Sequence, residues 1–119
     1  MTQICLIDDD HDVRRTLRTQ LESGGFKVIE ASNGLEGLRL LEHHPCEIVV
    51  VDLIMPEKEG LSTILELKTR FSHVRILAIT GRADYLKLAR ELGAHEALPK
   101  PIHVTTLHDT VRKLVGSKT

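Results

Sequence analysis

The sequence predicts an open, doubly wound α/β domain, (βα)5, with five strands in one parallel sheet. Three observations predict it. Short apolar runs alternate five times with longer stretches in which apolar residues recur every third or fourth position. Three of the runs are unbroken β-branched or aliphatic stretches, the pattern of strands covered on both faces. Turn-forming pairs separate the segments: Gly24-Gly25, Asn33-Gly34, His44-Pro45 and Ser72-His73. Parallel neighbours need helical crossovers, and right-handed crossovers place helices on both faces of the sheet.

The elements follow in order. The first strand is read at Ile4-Cys5-Leu6-Ile7, and the first helix from Val13, Leu17 and Leu21. Lys27-Val28-Ile29-Glu30-Ala31 gives the second strand, and Leu35, Leu38 and Leu41 the second helix. Ile48-Val49-Val50-Val51 is the third strand, followed by a helical rhythm through Leu61, Ile64, Leu65 and Lys68. Arg75-Ile76-Leu77-Ala78-Ile79 precedes a helix marked by Leu86, Ala89 and Leu92, with Gly93 as its C-cap. Glu96-Ala97-Leu98 is the last strand. Val104, Leu107, Val111, Leu114 and Val115 form the clearest apolar stripe. Residues 1–119 read as one domain, and 116–119 as a frayed end or the start of a linker.

Composition excludes several functions. A net charge of −1 gives no electrostatic footprint for nucleic acid or for a membrane surface. Aromatic residues are 3% with no Trp, which argues against base stacking. No apolar run approaches the ~20 residues of a membrane span, and the N-terminus does not read as a signal peptide. Two Cys do not make a disulfide framework, so a cytoplasmic location is expected.

Ligands of doubly wound sheets sit at the carboxyl ends of the strands. Asp8, Asp9, Asp10, His11 and Asp12 follow the first strand, Asp52 the third, Thr80 the fourth and Pro99-Lys100-Pro101 the fifth. Asp10 reads as the N-cap of the first helix. Helix-dipole complementation is a weak account of Asp8 and Asp9, because adjacent carboxylates repel. Residues 1–12 carry four Asp and no Lys or Arg, so a divalent ion or a lysine is expected to offset them. Asp52 alone could be a turn former before Met55-Pro56. Together the residues match the parts of a phosphoryl-transfer site. Asp8 and Asp9 could hold Mg²⁺, Asp52 attack phosphorus, Lys100 supply a cation and Thr80 a hydroxyl.

These residues in this order make the chain resemble the receiver domain of two-component response regulators. The resemblance rests on Ile7-Asp8-Asp9-Asp10, Val51-Asp52-Leu53-Ile54-Met55-Pro56 with Glu59-Gly60, Ala78-Ile79-Thr80-Gly81, Leu92-Gly93-Ala94 and Leu98-Pro99-Lys100-Pro101. It implies a flavodoxin-like sheet of order 2-1-3-4-5 and a Mg²⁺-dependent, self-phosphorylating site. Asp52 would be the phosphoacceptor and a metal ligand. Asp9 would bind the metal directly, Asp8 through water, and Ile54 through its backbone carbonyl. Thr80 and Lys100 would bind phosphoryl oxygens, with the Lys100–Pro101 bond often cis. The donor would be a phosphohistidine on a histidine kinase or phosphotransfer protein. Output would pass through the fourth helix, fifth strand and fifth helix to a partner protein or fused domain, or to a second copy on phosphorylation. No direct nucleic-acid binding and no membrane contact are expected.

Two departures stand out. The family usually places Tyr, Phe or His three residues before the lysine, where this chain has Ala97. The usual threonine–aromatic switch is therefore in doubt, and the loop after Thr80 is expected to move without an aromatic partner rather than through Tyr85. Ile54 and Arg82 flank the path of the hydrolysing water in this family. An apolar Ile54 cannot orient water, so a long-lived acyl phosphate is expected.

The remaining signals read as structural. Seven His show no zinc spacing, and surface or capping roles are expected for them. Cys5 lies three residues before Asp8 and Cys46 six before Asp52, an offset of roughly 10 Å along the strands. That exceeds disulfide reach, so both should be free thiols. Asp8-x-Asp10-x-Asp12 opens like an EF-hand loop, but Val13 stands at its glycine and Thr19 at its final Glu. Two other functions compete. One is a pseudo-receiver that binds a partner without phosphorylation, suggested by Ala97. The other is a small aspartyl-phosphate phosphohydrolase, disfavoured because Asp8-Asp9-Asp10-His11-Asp12 lacks that enzyme class's DxDx[TV] pattern.

Overall fold

A computed structural model describes residues 2–54 and 59–116. Met55-Pro56 of the third strand-end motif and residues 117–119 lie outside the described residues. The elements are β1 (Gln3–Ile7), α1 (His11–Ser23), β2 (Lys27–Ala31), α2 (Gly34–His43), β3 (Ile48–Asp52), α3 (Glu59–Arg70), β4 (Arg75–Thr80), α4 (Leu86–Leu92), β5 (Glu96–Pro99) and α5 (Val104–Gly116). A 3-10 turn, Ala83–Tyr85, precedes α4, so Tyr85 stands just ahead of that helix. The strands form one sheet in the order β2-β1-β3-β4-β5, with every neighbouring pair parallel.

Strict alternation of inward side chains divides the core in two. Cys5, Ile7, Val49, Val51, Ile76, Ala78 and Ala97 face the layer of α2, α3 and α4, where Leu38, Leu41, Ile64, Leu67 and Ala89 meet them. Ile4, Leu6, Ile48, Val50, Leu77 and Ile79 face α1 and α5, meeting Leu17, Leu21, Leu107, Val111 and Leu114. Each fully buried Leu or Ile contributes about 1.5–3 kcal/mol of hydrophobic free energy. The two layers therefore hold the central strands, and the site at their ends, from both sides.

Two helices bury Leu38, Leu41 and Ile64 as expected, but the rest of each buried stripe differs from the one their apolar residues suggest. Leu35 is 58% exposed, while α2 buries Gly34, Gly37, Leu38 and Leu41. Leu65 is 49% exposed, while α3 buries Gly60, Thr63, Ile64 and Leu67. Both observed stripes follow the i, i+3, i+4, i+7 rhythm of a helix face. They were hidden because half of their members are Gly or Thr. Thr63 is buried without penalty because its hydroxyl donates to the Glu59 carbonyl at 2.8 Å.

Local signals explain the boundaries. Asp10 caps α1, its Oδ1 accepting from the Asp12 and Val13 N–H groups. Because Asp12 lies in the first turn of α1, the EF-hand-like opening forms no calcium loop. Gly93 ends α4 at φ 128°, where a side chain would be strained and would also press on the stem of Lys68. Cys5 pairs in register with Val49, three residues beyond Cys46, and both thiols are free and buried.

The histidines are less peripheral than expected. His95 Nδ1 accepts from the Ile76 N–H at 3.0 Å, joining β5 to β4 at the sheet's lower edge. His108 Nε2 donates to the Gln20 carbonyl at 2.6 Å, joining α5 to the end of α1.

Candidate functional site

The strand order brings the ends of β1, β3, β4 and β5 side by side. Ile7 lies opposite Val51, so Asp8 and Asp52 leave adjacent strands together. Thr80 pairs with Pro99, so Lys100 emerges next to β4. Neighbouring strands are about 4.8 Å apart, which sets the scale of the cluster. The Lys100–Pro101 bond is cis.

Asp8 and Asp52 are buried, and both lie against Lys100. Lys100 Nζ donates to Asp8 Oδ2 at 3.2 Å and to Asp52 Oδ2 at 3.1 Å. The other oxygens are held by backbone: Asp10 N–H donates to Asp8 Oδ1 at 3.0 Å, and Ile54 N–H to Asp52 Oδ1 at 3.0 Å. Burial pushes the Asp52 carboxyl above its ordinary pKa. The Ile54 N–H opposes that push, the Asp8 charge adds to it, and Lys100 offsets part of it. Burial works against the Lys100 ammonium, but the Asp52 and Asp8 charges outweigh it and hold its pKa above the ordinary value.

The other expected residues divide. Asp9 is exposed at the rim and has no hydrogen bond or ion pair among the described residues. Ile54 is 42% exposed, and its side chain lines the same depression. Thr80 is fully buried. Its hydroxyl accepts from the Arg82 N–H at 2.9 Å and keeps its own proton for donation. Arg82 leans outward, paired with Asp84 at 2.9 Å and lying over the Tyr85 ring. Ala97 is buried opposite Ala78 and leaves no ring at that position.

An open depression of about 530 Å³ is lined by Asp9, Asp10, Asp52, Ile54, Gly81, Arg82 and Lys100, with Asp8 and Thr80 buried beneath the surface. A groove of similar volume runs beside it between α1 and Lys100–Ile102, but Val13, Leu17, Pro101 and Ile102 make it mainly apolar. Asp9, Asp52 and Lys100 meet at the depression.

Carboxylate oxygens of Asp8, Asp9 and Asp52 lie within 4.8 Å of one another. This set of hard oxygen donors, one of them exposed and uncommitted, fits Mg²⁺, which keeps several waters and accepts few protein ligands.

Two residues that shape the site, Arg14 and Glu30, stand outside the sequence motifs. Arg14 Nη1 donates to the Asp8 carbonyl at 2.7 Å, while its Nε donates to Glu30 Oε1 at 2.9 Å. The available signal was Glu30 itself, a charged residue set between the apolar Ile29 and Ala31 of β2. Gly60 touches the other side of the site. A Cβ there would lie 2.6 Å from the Leu53 Cα and closer still to the Asp52 carbonyl. The start of α3 therefore packs directly on the backbone that carries Asp52.

Comparison with known proteins identifies the family and the fold. The family model for the response regulator receiver domain matches residues 4–112. A CpxR homolog of Haemophilus influenzae, a transcriptional regulatory protein, is 37% identical over 105 residues, covering 87% of this chain and 45% of that protein. This chain thus spans about half the length of the CpxR-type relatives it matches. A receiver domain protein from Clostridium thermocellum superposes with a TM-score of 0.91 at 29% identity, over 99% of this chain and 97% of that one. The response regulator TrrA of Thermotoga maritima, solved in complex with Mg²⁺-BeF, gives 0.88 at 27% identity, over 96% and 99% of the two chains.

Proposed function

This chain belongs to the response regulator receiver domain family, and from that premise we propose that it accepts a phosphoryl group on Asp52. The observation that carries the proposal is the pairing of buried Asp52 with Lys100 beside the Asp8–Asp9 oxygen cluster. An Asp52 oxygen attacks the phosphorus of a phosphohistidine, the P–N bond breaks, and the imidazole leaves as an acyl phosphate forms. Burial raises the basicity of Asp52 and so favours attack. Lys100 neutralises charge on the transferring oxygens, and the Thr80 hydroxyl donates to another.

Asp8, Asp9, Asp52 and the Ile54 carbonyl would hold Mg²⁺, with Asp9 binding directly and Asp8 through water. When bound, the ion neutralises charge on the phosphoryl oxygens. The chain is a signalling domain that catalyses only its own phosphorylation and dephosphorylation. Its donor is a histidine kinase or a histidine phosphotransfer protein, and it works in the cytoplasm. Output passes through α4, β5 and α5 to a partner, a fused domain or a second copy. With Ala97 in β5, the loop after Thr80 moves without a ring beneath it.

Incubation with Mg²⁺ and phosphoramidate, read by intact mass, tests the proposal. A single phosphoryl adduct, absent in Asp52→Asn, is expected. No adduct in the wild type would favour a pseudo-receiver, and turnover of many phosphates per chain would favour a phosphohydrolase.

A further inference from the structure

We propose that Arg14 is a positioning residue for the Mg²⁺ site, acting through the peptide bond between Asp8 and Asp9. The inference rests on the receiver reading above. Asp9 has no side-chain partner among the described residues, so its direction is set by its backbone. The peptide that joins it to Asp8 is a rigid plane. The carbonyl of that plane accepts from Arg14 Nη1 at 2.7 Å, a charge-assisted bond from a side chain only 14% exposed. The same guanidinium donates through Nε to Glu30 Oε1, and Glu30 also pairs with Arg18. The Asp8 N–H donates to the Ala31 carbonyl at 3.1 Å. The acidic loop is thus tied to the end of β2 on both sides of Asp8, although β2 itself contributes no carboxylate to the cluster. Arg14 reaches the cluster through the Asp8 carbonyl and occupies no carboxylate oxygen of Asp8, Asp9 or Asp52.

Outer residues that orient metal ligands typically change affinity by about 10–100-fold when removed. Magnesium titration of the full chain by calorimetry, with the Asp8–Asp10 amide shifts followed in parallel, tests the assignment. Arg14→Met should weaken Mg²⁺ binding about tenfold. The exposed Arg15→Met removes the same charge from the same helix and should leave affinity within about twofold. Glu30→Gln should weaken binding in the same direction by less, and it carries the test if Arg14→Met does not fold. In phosphoramidate assays, the Mg²⁺ concentration for half-maximal rate should rise in Arg14→Met while the rate at saturating Mg²⁺ is retained. Equal Mg²⁺ affinity in Arg14→Met and wild type would overturn the role of Arg14 and leave the receiver reading intact. Equal losses in Arg14→Met and Arg15→Met would overturn it too, because the loss would then not depend on the bond to the Asp8 carbonyl. A wild type that binds no Mg²⁺ would overturn both readings.

Discussion

The two ends of the sheet use polar residues in opposite ways. At the lower edge, side chains complete the backbone. Glu47 Oε2 accepts from the Gln3 N–H at 2.9 Å, and His95 Nδ1 accepts from the Ile76 N–H. At the upper edge, Asp8, Asp52 and Lys100 face one another, and backbone donors reach only one oxygen of each carboxylate. At the lower edge these polar side chains are committed to backbone N–H groups. The upper edge keeps charge buried, with oxygens turned toward a depression that solvent can enter. Buried like charges are costly, and a fold keeps them only where something else offsets the cost.

Breaking the upper edge should give the largest effect. Lys100→Met leaves two buried carboxylates without their cation, and loss of about 3 kcal/mol or more is expected in denaturant unfolding at pH 7. Millimolar Mg²⁺ should restore part of it. Retained stability without Mg²⁺ would mean that Lys100 does not offset the acidic pair. Ile54→Asn places a hydrogen-bonding side chain at the rim of the depression and should speed loss of the acyl phosphate about tenfold, or ~1.4 kcal/mol of barrier. A lifetime no shorter than that of the wild type removes Ile54 from the account.

Asp52→Asn sharpens the comparison further. The folded pKa of Asp52 is raised, so the native state holds its proton more readily than the unfolded chain does. Stability contributed by this group is therefore present below the ordinary carboxylate range and lost as pH rises through the folded value. At pH 7 the neutral Asn should melt about 3–5 °C higher, and the gain should shrink as pH falls toward the carboxylate range. At the lower edge, His95→Phe should cost only about 1 kcal/mol, from the unpaired Ile76 N–H, and leave phosphorylation unchanged. Burial and the Arg75 and Lys68 charges lower the pKa of His95. Its contribution is therefore full above about 6.5 and lost as pH falls, the reverse of Asp52.

Much of this was legible in the sequence, for identifiable reasons. Unbroken β-branched runs such as Ile48–Val51, bounded by turn signals, fit a strand covered on both faces, and Gly93 marks the end of a helix. The site was legible because Asp8, Asp9, Asp52 and Lys100 are polar residues at the ends of apolar strands. What escaped was carried by residues whose type says little. Gly34, Gly37 and Thr63 line helix faces without being apolar, so Leu35 and Leu65 drew attention to the wrong side. Arg14 is one of three arginines in α1, and only the folded chain shows which of them turns inward. His95 works through a ring nitrogen and a backbone amide, a contact that no side-chain pattern reveals.

The two cysteines have a use unrelated to signalling. Burial raises the Cys5 thiol to about 12 and the Cys46 thiol to about 11, so neither is a nucleophile at neutral pH while the chain is folded. Cys46 lies just before β3, in the connection from α2, whereas Cys5 lies within β1 and gains reactivity only when that strand separates from its neighbours. Alkylation of the native protein therefore records each rare opening as a permanent mark, a clock for whole-chain unfolding that needs no added label.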